Sequence, residues 1–172
     1  MRQGFGELPE GIGFFSPASL ISTWFGVGLL PGIPGTWGSA AALPFAWVIQ
    51  VNAGSGALWI AAAILLFIGI WASSAIVRAG GEEDPGLVVV DEVVGQWITV
   101  SVVAPSLVTY LAGFVLFRIF DVLKPWPANS LDRNVRGGLG VMADDLASAI
   151  YAALSLFLLQ ELGVLAWNPL NI

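Results

Sequence analysis

RIFDVLKPWPANSLDRNVRGGLGVMADD, residues 118–145, carries four of the six basic residues and four of the twelve acidic ones in an otherwise mostly apolar chain. Arg118, Asp121, Lys124, Asp132, Arg133, Arg136, Asp144 and Asp145 lie between two long hydrophobic runs. Charge at membrane depth or at a membrane edge is costly, so residues that keep it there are functional candidates. The rest of the composition supplies that setting. Of 172 residues, 57% are hydrophobic and 10% charged, where a soluble domain carries about 25% charged residues. A mean hydropathy of +0.85 and eight Trp, a residue that collects at membrane interfaces, complete the reading of an integral membrane protein.

Two absences limit the chemistry. Without Cys there is no disulfide framework, thiolate nucleophile or Cys-type metal site. Without His there is no Ser-His-Asp triad, no phosphohistidine and no imidazole ligand. What remains is carboxylates, Lys, Arg, hydroxyls, backbone N–H groups or a bound ion, and oxygen-only ligands select hard cations such as Mg²⁺, Mn²⁺ or Ca²⁺. The formal charge of −6 and the lack of a basic tract exclude a nucleic-acid partner, and no required protein partner is evident.

Taken in order, the chain reads as one all-α domain over 1–172. Residues 1–15 form a Gly-rich arm whose early acids do not suit a cleaved signal peptide. The apolar run 16–30 is short for a span of about 20 residues and predicts an interfacial or re-entrant helix. PGIPGTWGS (31–39) is a loop running into an apolar helix over about 38–51; NAGSG (52–56) turns; 57–79 is the cleanest span. An acidic loop, 80–90, delivers Asp91 and Glu92 to a helix that breaks near Pro105. A further segment covers 106–121, KPWP (124–127) forces an extended or turning path, and GGLG (137–140) closes a polar loop. The last helix is expected over about 141–162, with Asp144 and Asp145 in its first turn. If successive segments cross, this polytopic helical bundle with short, broken helices gathers its charges at one membrane face. All five basic residues after Arg2 fall there, which makes it the cytoplasmic face.

Each motif has a structural and a functional reading. The 31–39 loop offers close backbone approach and a helix N-terminus for an anion, with Thr36, Gly38 and Ser39 as phosphate contacts; the alternative is a turn capped by Thr36 or Ser39. Asp91 and Glu92 either complement a helix dipole or serve as metal ligands or general base. Asp121, flanked by Arg118 and Lys124 at helical spacing, is an ion pair or part of a site. Asp144 and Asp145 again have a capping alternative. Their number decides: five carboxylates at one face repel one another, and a divalent cation is the compensation available to a chain without His. Lys124, Arg133 and Arg136 supply basic groups for gripping phosphate.

Four segments, PGIPGTWGS (31–39), VVDEVVGQWIT (89–99), FRIFDVLKPWP (117–127) and LDRNVRGGLGVMADDLASAI (131–150), resemble in order the phosphatidylglycerophosphatase A family of bacterial membrane enzymes. The resemblance runs over 24–153. It implies a Mg²⁺-dependent hydrolase that removes the terminal phosphate of phosphatidylglycerophosphate in the multi-pass inner membrane, on the cytoplasmic side. The substrate would then be a membrane phospholipid, with Asp91, Glu92, Asp121, Asp144 and Asp145 as the metal and acid–base set. The rival readings are an ion or anion transporter built on the acidic cluster and a lipid phosphatase with wider head-group choice.

Overall fold

The computed structural model describes residues 6–80 and 82–165, so part of the N-terminal arm lies outside it. The described residues are all helix, turn and loop, with no strand among them. α1 (Pro17–Ser22) is followed by a 3₁₀ turn (Val27–Leu29), then α2 (Pro34–Gly80), α3 (Val90–Val100), α4 (Leu107–Leu123), α5 (Ala128–Asn134) and α6 (Gly137–Glu161).

At the centre stands α3. It has 11 residues, and all of them except Glu92 are buried. A helix buried on every side needs cover on every side, and α2, α4 and α6 supply it. At about 1.5 Å per residue α3 is only about 16 Å long; it ends at Val100, short of the break expected near Pro105.

The longest element, α2, is two helices joined at Gly54, whose φ of 83° and ψ of 170° are not helical. Gly38 and Gly69, on opposite sides of that break, close on the neighbouring residues Val89 and Val90. The two halves therefore run back along each other as a hairpin with its tip at Gly54, inside the expected 52–56 turn. Near the tip Gln50 donates to the Val103 carbonyl and accepts from the Tyr110 hydroxyl at 2.6 Å, tying the hairpin to the α3–α4 connection. α4 then starts on a reciprocal Ser106–Thr109 capping box.

Three segments differ from expectation. The 16–30 run yields only a six-residue helix followed by Trp24 and Phe25, both with left-handed backbone. Residues 128–134, expected as loop, form α5. α6 begins at Gly137 rather than near 141, so GGLG is its first turn and Asp144 and Asp145 lie about two turns inside it. Among the described residues α2 and α6 are long and apolar enough to cross a membrane.

Candidate active site

The charged ends of α3, α4 and α6 and the start of α2 meet around one cleft of about 340 Å³. Asp91 and Glu92 come from the first turn of α3, Asp121 from the last turn of α4, Lys124 from its cap, and Asp144 and Asp145 from α6. All six line the cleft, together with Arg118 and Asp84. The four aspartates of α3, α4 and α6 are at most 9% exposed, so burial sharpens every interaction among them.

Dipole arguments separate these acids. Asp91 and Glu92 sit where a helix favours negative charge, and Asp91 Oδ1 accepts the Glu92 N–H at 3.0 Å. Asp121 sits at the unfavourable end of α4, and Asp144 and Asp145 are too far inside α6 to help its dipole. Their placement is therefore accounted for by the cluster and not by helix capping.

Carboxylate oxygens of Asp91, Glu92 and Asp145 all lie within 4.8 Å of one another. Glu92 Oε2 and Asp145 Oδ2 are buried without a hydrogen-bond partner. Buried carboxylate oxygens without a partner are costly, and they are the donor type a hard divalent cation takes. The residues present thus fit such an ion.

Two cations answer part of the negative charge. The Arg118 guanidinium pairs with Asp121 and lies 3.7 Å from Glu92 Oε1. Lys124 Nζ bridges Asp132 at 2.5 Å and Asp144 at 2.6 Å. Burial pulls the Lys124 ammonium down, but its hydrogen bonds to Asp132 and Asp144 outweigh this and raise it above its ordinary 10.5. Lys124 also has a left-handed backbone, φ 42°, a conformation that costs a non-glycine residue about 1–2 kcal/mol. Asp84 is raised by burial, with the Lys124 charge opposing.

The expected phosphate contacts fall into two groups. Arg133 and Arg136 line an adjoining pocket of about 220 Å³ that shares Asp84 and Asp144 with the cleft; Arg136 also faces Glu83 at 3.7 Å. Thr36, Gly38 and Ser39 are not brought to the cleft. Ser39 is fully buried and its hydroxyl donates to the Gly35 carbonyl at 2.9 Å. Gly38 packs on Val89. Thr36 faces an apolar groove on the outer side of Arg118.

From the 31–39 loop it is Ile33, Pro34 and Gly35 that reach the cleft. A Cβ at Gly35 would overlap Glu92 Oε1 and lie 3.1 Å from Arg118 Nη1. Gly35 and Asp84 extend the set drawn from sequence, and Arg118, a candidate there by its charge, joins the cleft. Arg118 had a signal, its spacing to Asp121; Gly35 and Asp84 meet the cluster only through the fold.

Fold and site together describe a protein whose described residues are all helix, turn and loop, with a buried acidic cleft at one end. Residues 20–160 match the family described as Phosphatidylglycerophosphatase A. The chain is 36% identical to phosphatidylglycerophosphatase A of Escherichia coli over 88% of its own length and 90% of that protein's. It is 36% identical to the Haemophilus influenzae protein of the same name, covering 87% and 92%. A Bacteroides thetaiotaomicron protein provisionally named phosphatidylinositol-3-phosphatase is 40% identical over 77% of this chain and 87% of that one. No solved structure matches significantly. The chain belongs to the phosphatidylglycerophosphatase A family and is a phosphatase.

Proposed function

We propose that this phosphatase hydrolyses the terminal phosphomonoester of phosphatidylglycerophosphate, giving phosphatidylglycerol and phosphate, with Mg²⁺ as its cofactor. The observation that carries the reading is the convergence of six carboxylates on one cleft, with the Glu92 and Asp145 oxygens unpartnered. Asp91, Glu92 and Asp145 would hold Mg²⁺, which when bound neutralises phosphoryl oxygens and makes bound water more acidic.

The other residues divide the remaining work. Lys124 and Arg118 present positive charge to phosphate oxygens from the cleft wall, and Arg133 and Arg136 do so from the adjoining pocket. Asp121 and Asp144 are the cleft carboxylates outside the proposed ion site and would accept the proton of an attacking water. Burial keeps bulk water from screening these charges.

A multi-pass placement in the bacterial inner membrane agrees with the surface. Large apolar side chains such as Val48, Ile60, Phe67 and Leu107 are 60–72% exposed, and apolar exposure on this scale requires cover. Trp37 and Trp126 are exposed beside the charged end, as interfacial residues are. With Lys124, Arg133 and Arg136 there, that end faces the cytoplasm.

Purified protein in detergent should release phosphate from phosphatidylglycerophosphate with Mg²⁺ and stop when the ion is chelated. A panel containing phosphatidic acid and phosphatidylinositol 3-phosphate tests head-group choice, which the Bacteroides relative's name makes a real question. Faster release from the inositol lipid would overturn the substrate assignment, and undiminished rates in chelator would overturn the metal.

A further inference from the structure

Outside the cleft, two apolar cavities lie one after the other along the same pair of helices. The first, about 480 Å³, is lined by Thr36 of α2 and by Val115, Ile119 and Leu123 of α4. The second, about 310 Å³, is lined by Ala40, Leu43 and Trp47 of α2 and by Leu107 and Leu111 of α4. As the α2 residue numbers rise the α4 numbers fall, so the two helices run antiparallel along both cavities. Thr36 and Ala40, like Leu111 and Val115, are one helical turn apart and share a face. The two are open grooves with no lining residue in common; set end to end on one helix pair, they make up the α2–α4 furrow. Its floor at the far end is the Trp47–Tyr110 edge-to-face pair, ring centroids 5.1 Å apart, and the Tyr110 hydroxyl is turned away to Gln50.

The near end of the furrow opens on the acidic cleft. Arg118 and Val122 line both. From Thr36 to Trp47 the furrow runs about 16 Å, about half the roughly 30 Å hydrocarbon core, or one leaflet.

We propose that the α2–α4 furrow is the binding site for an acyl chain of the phospholipid substrate, with the lipid's glycerol backbone at Arg118 and Val122 and its phosphate in the cleft. The assignment rests on the lipid-phosphatase reading above. Continuity chooses the occupant: the furrow leads from the carboxylates, past a cation suited to a lipid phosphodiester, into walls with no charged group beyond Arg118. Any phospholipid can set its phosphodiester at Arg118, but only the substrate also places a terminal phosphate in the cleft that Arg118 and Val122 share with the furrow.

Two substitutions narrow the far half from opposite walls, Ala40→Trp and Leu111→Trp. The test compares kcat/KM on dipalmitoyl and dihexanoyl phosphatidylglycerophosphate in detergent. In wild type the long-chain lipid should be preferred, and each variant should lower the long-to-short ratio by about tenfold or more, because a tail that no longer fits the furrow loses its packing there. An unchanged ratio overturns the furrow. Photocrosslinking decides independently of turnover. A lipid phosphate with a diazirine at its acyl terminus should label Trp47, Leu107 or their neighbours in wild type and lose that label in the variants. Label spread evenly over the exposed apolar helices overturns the proposal. Wild-type protein that crosslinks as expected but hydrolyses neither lipid would sink the phosphatase reading while leaving the furrow standing.

Discussion

Gly35 makes the first prediction. Its missing side chain is what lets the Glu92 carboxylate and Arg118 Nη1 occupy their places. An added methyl would push against the tip of a flexible side chain and not against backbone, so Glu92 would move and the fold would remain. Gly35→Ala should therefore melt within a few degrees of wild type, yet lose about 100-fold in activity, the scale of a misplaced catalytic group. Purified variant assayed for phosphate release beside a melting curve checks this; full activity would show that Glu92 has no required position. Lys124 makes the second. Its raised ammonium pKa means that the folded state favours the charged form, so its contribution is fully present below the ordinary 10.5 and is lost only as pH climbs through the higher folded value. The melting difference between wild type and Lys124→Met should hold constant from about pH 7 to 10 and shrink above that. Its size stays modest because the side chain is 27% exposed. A difference that already vanishes near neutrality would contradict the bridge to Asp132 and Asp144.

At the scale of elements, α6 depends on its first turn lying against α2. A Cβ at Gly138 would overlap the Ile70 backbone carbonyl and the Ser74 hydroxyl, and backbone gives way less readily than a side-chain tip. Gly138→Ala should destabilise by about 1–3 kcal/mol, the usual cost of overpacking, while Leu139→Ala, at a position 53% exposed, should cost little. Thermal melts of the pair measure the contrast, and equal behaviour would refute the close approach. The same contact explains why the start of α6 was misplaced from sequence. Gly-Gly-Leu-Gly has poor helix propensity and reads as loop until one sees that the glycines serve packing between helices distant in sequence. Placing Asp144 and Asp145 in the first turn failed for that reason. α5 was hidden similarly, between a Pro-rich turn and residues that propensity leaves undecided. By contrast Pro105 and the NAGSG turn are local signals, and α3 and the α2 break obey them. The carboxylates could be chosen from sequence because charge in an apolar chain is conspicuous one residue at a time. Gly35 could not, because only tertiary contact sets it apart from other loop glycines, and Asp84 could not be told from Glu82 and Glu83 beside it.

For the molecule as a whole, the cleft sets stability and catalysis against each other. Six carboxylates and two cations share it, so the ion-free protein carries uncompensated repulsion at the end where α2, α3, α4 and α6 meet. A cation that binds only the folded state stabilises by mass action, about 2.7 kcal/mol at 100 times its dissociation constant. In a protein of this size that corresponds to about 5–10 °C in melting temperature. Mg²⁺ should therefore raise the melting temperature of the detergent-solubilised protein well beyond an equal ionic strength of NaCl, which screens but does not ligate. Asp145→Asn separates ligation from repulsion. Removing one negative charge relieves the crowding, so in chelator the variant should melt above wild type; removing a ligand weakens the ion site, so with Mg²⁺ it should melt below. The order of the two proteins reverses between the two conditions only if the same carboxylates both repel one another and hold the ion. A variant less stable in both would make Asp145 a structural residue. A wild-type response to Mg²⁺ no larger than to NaCl would mean that the cluster holds no divalent ion.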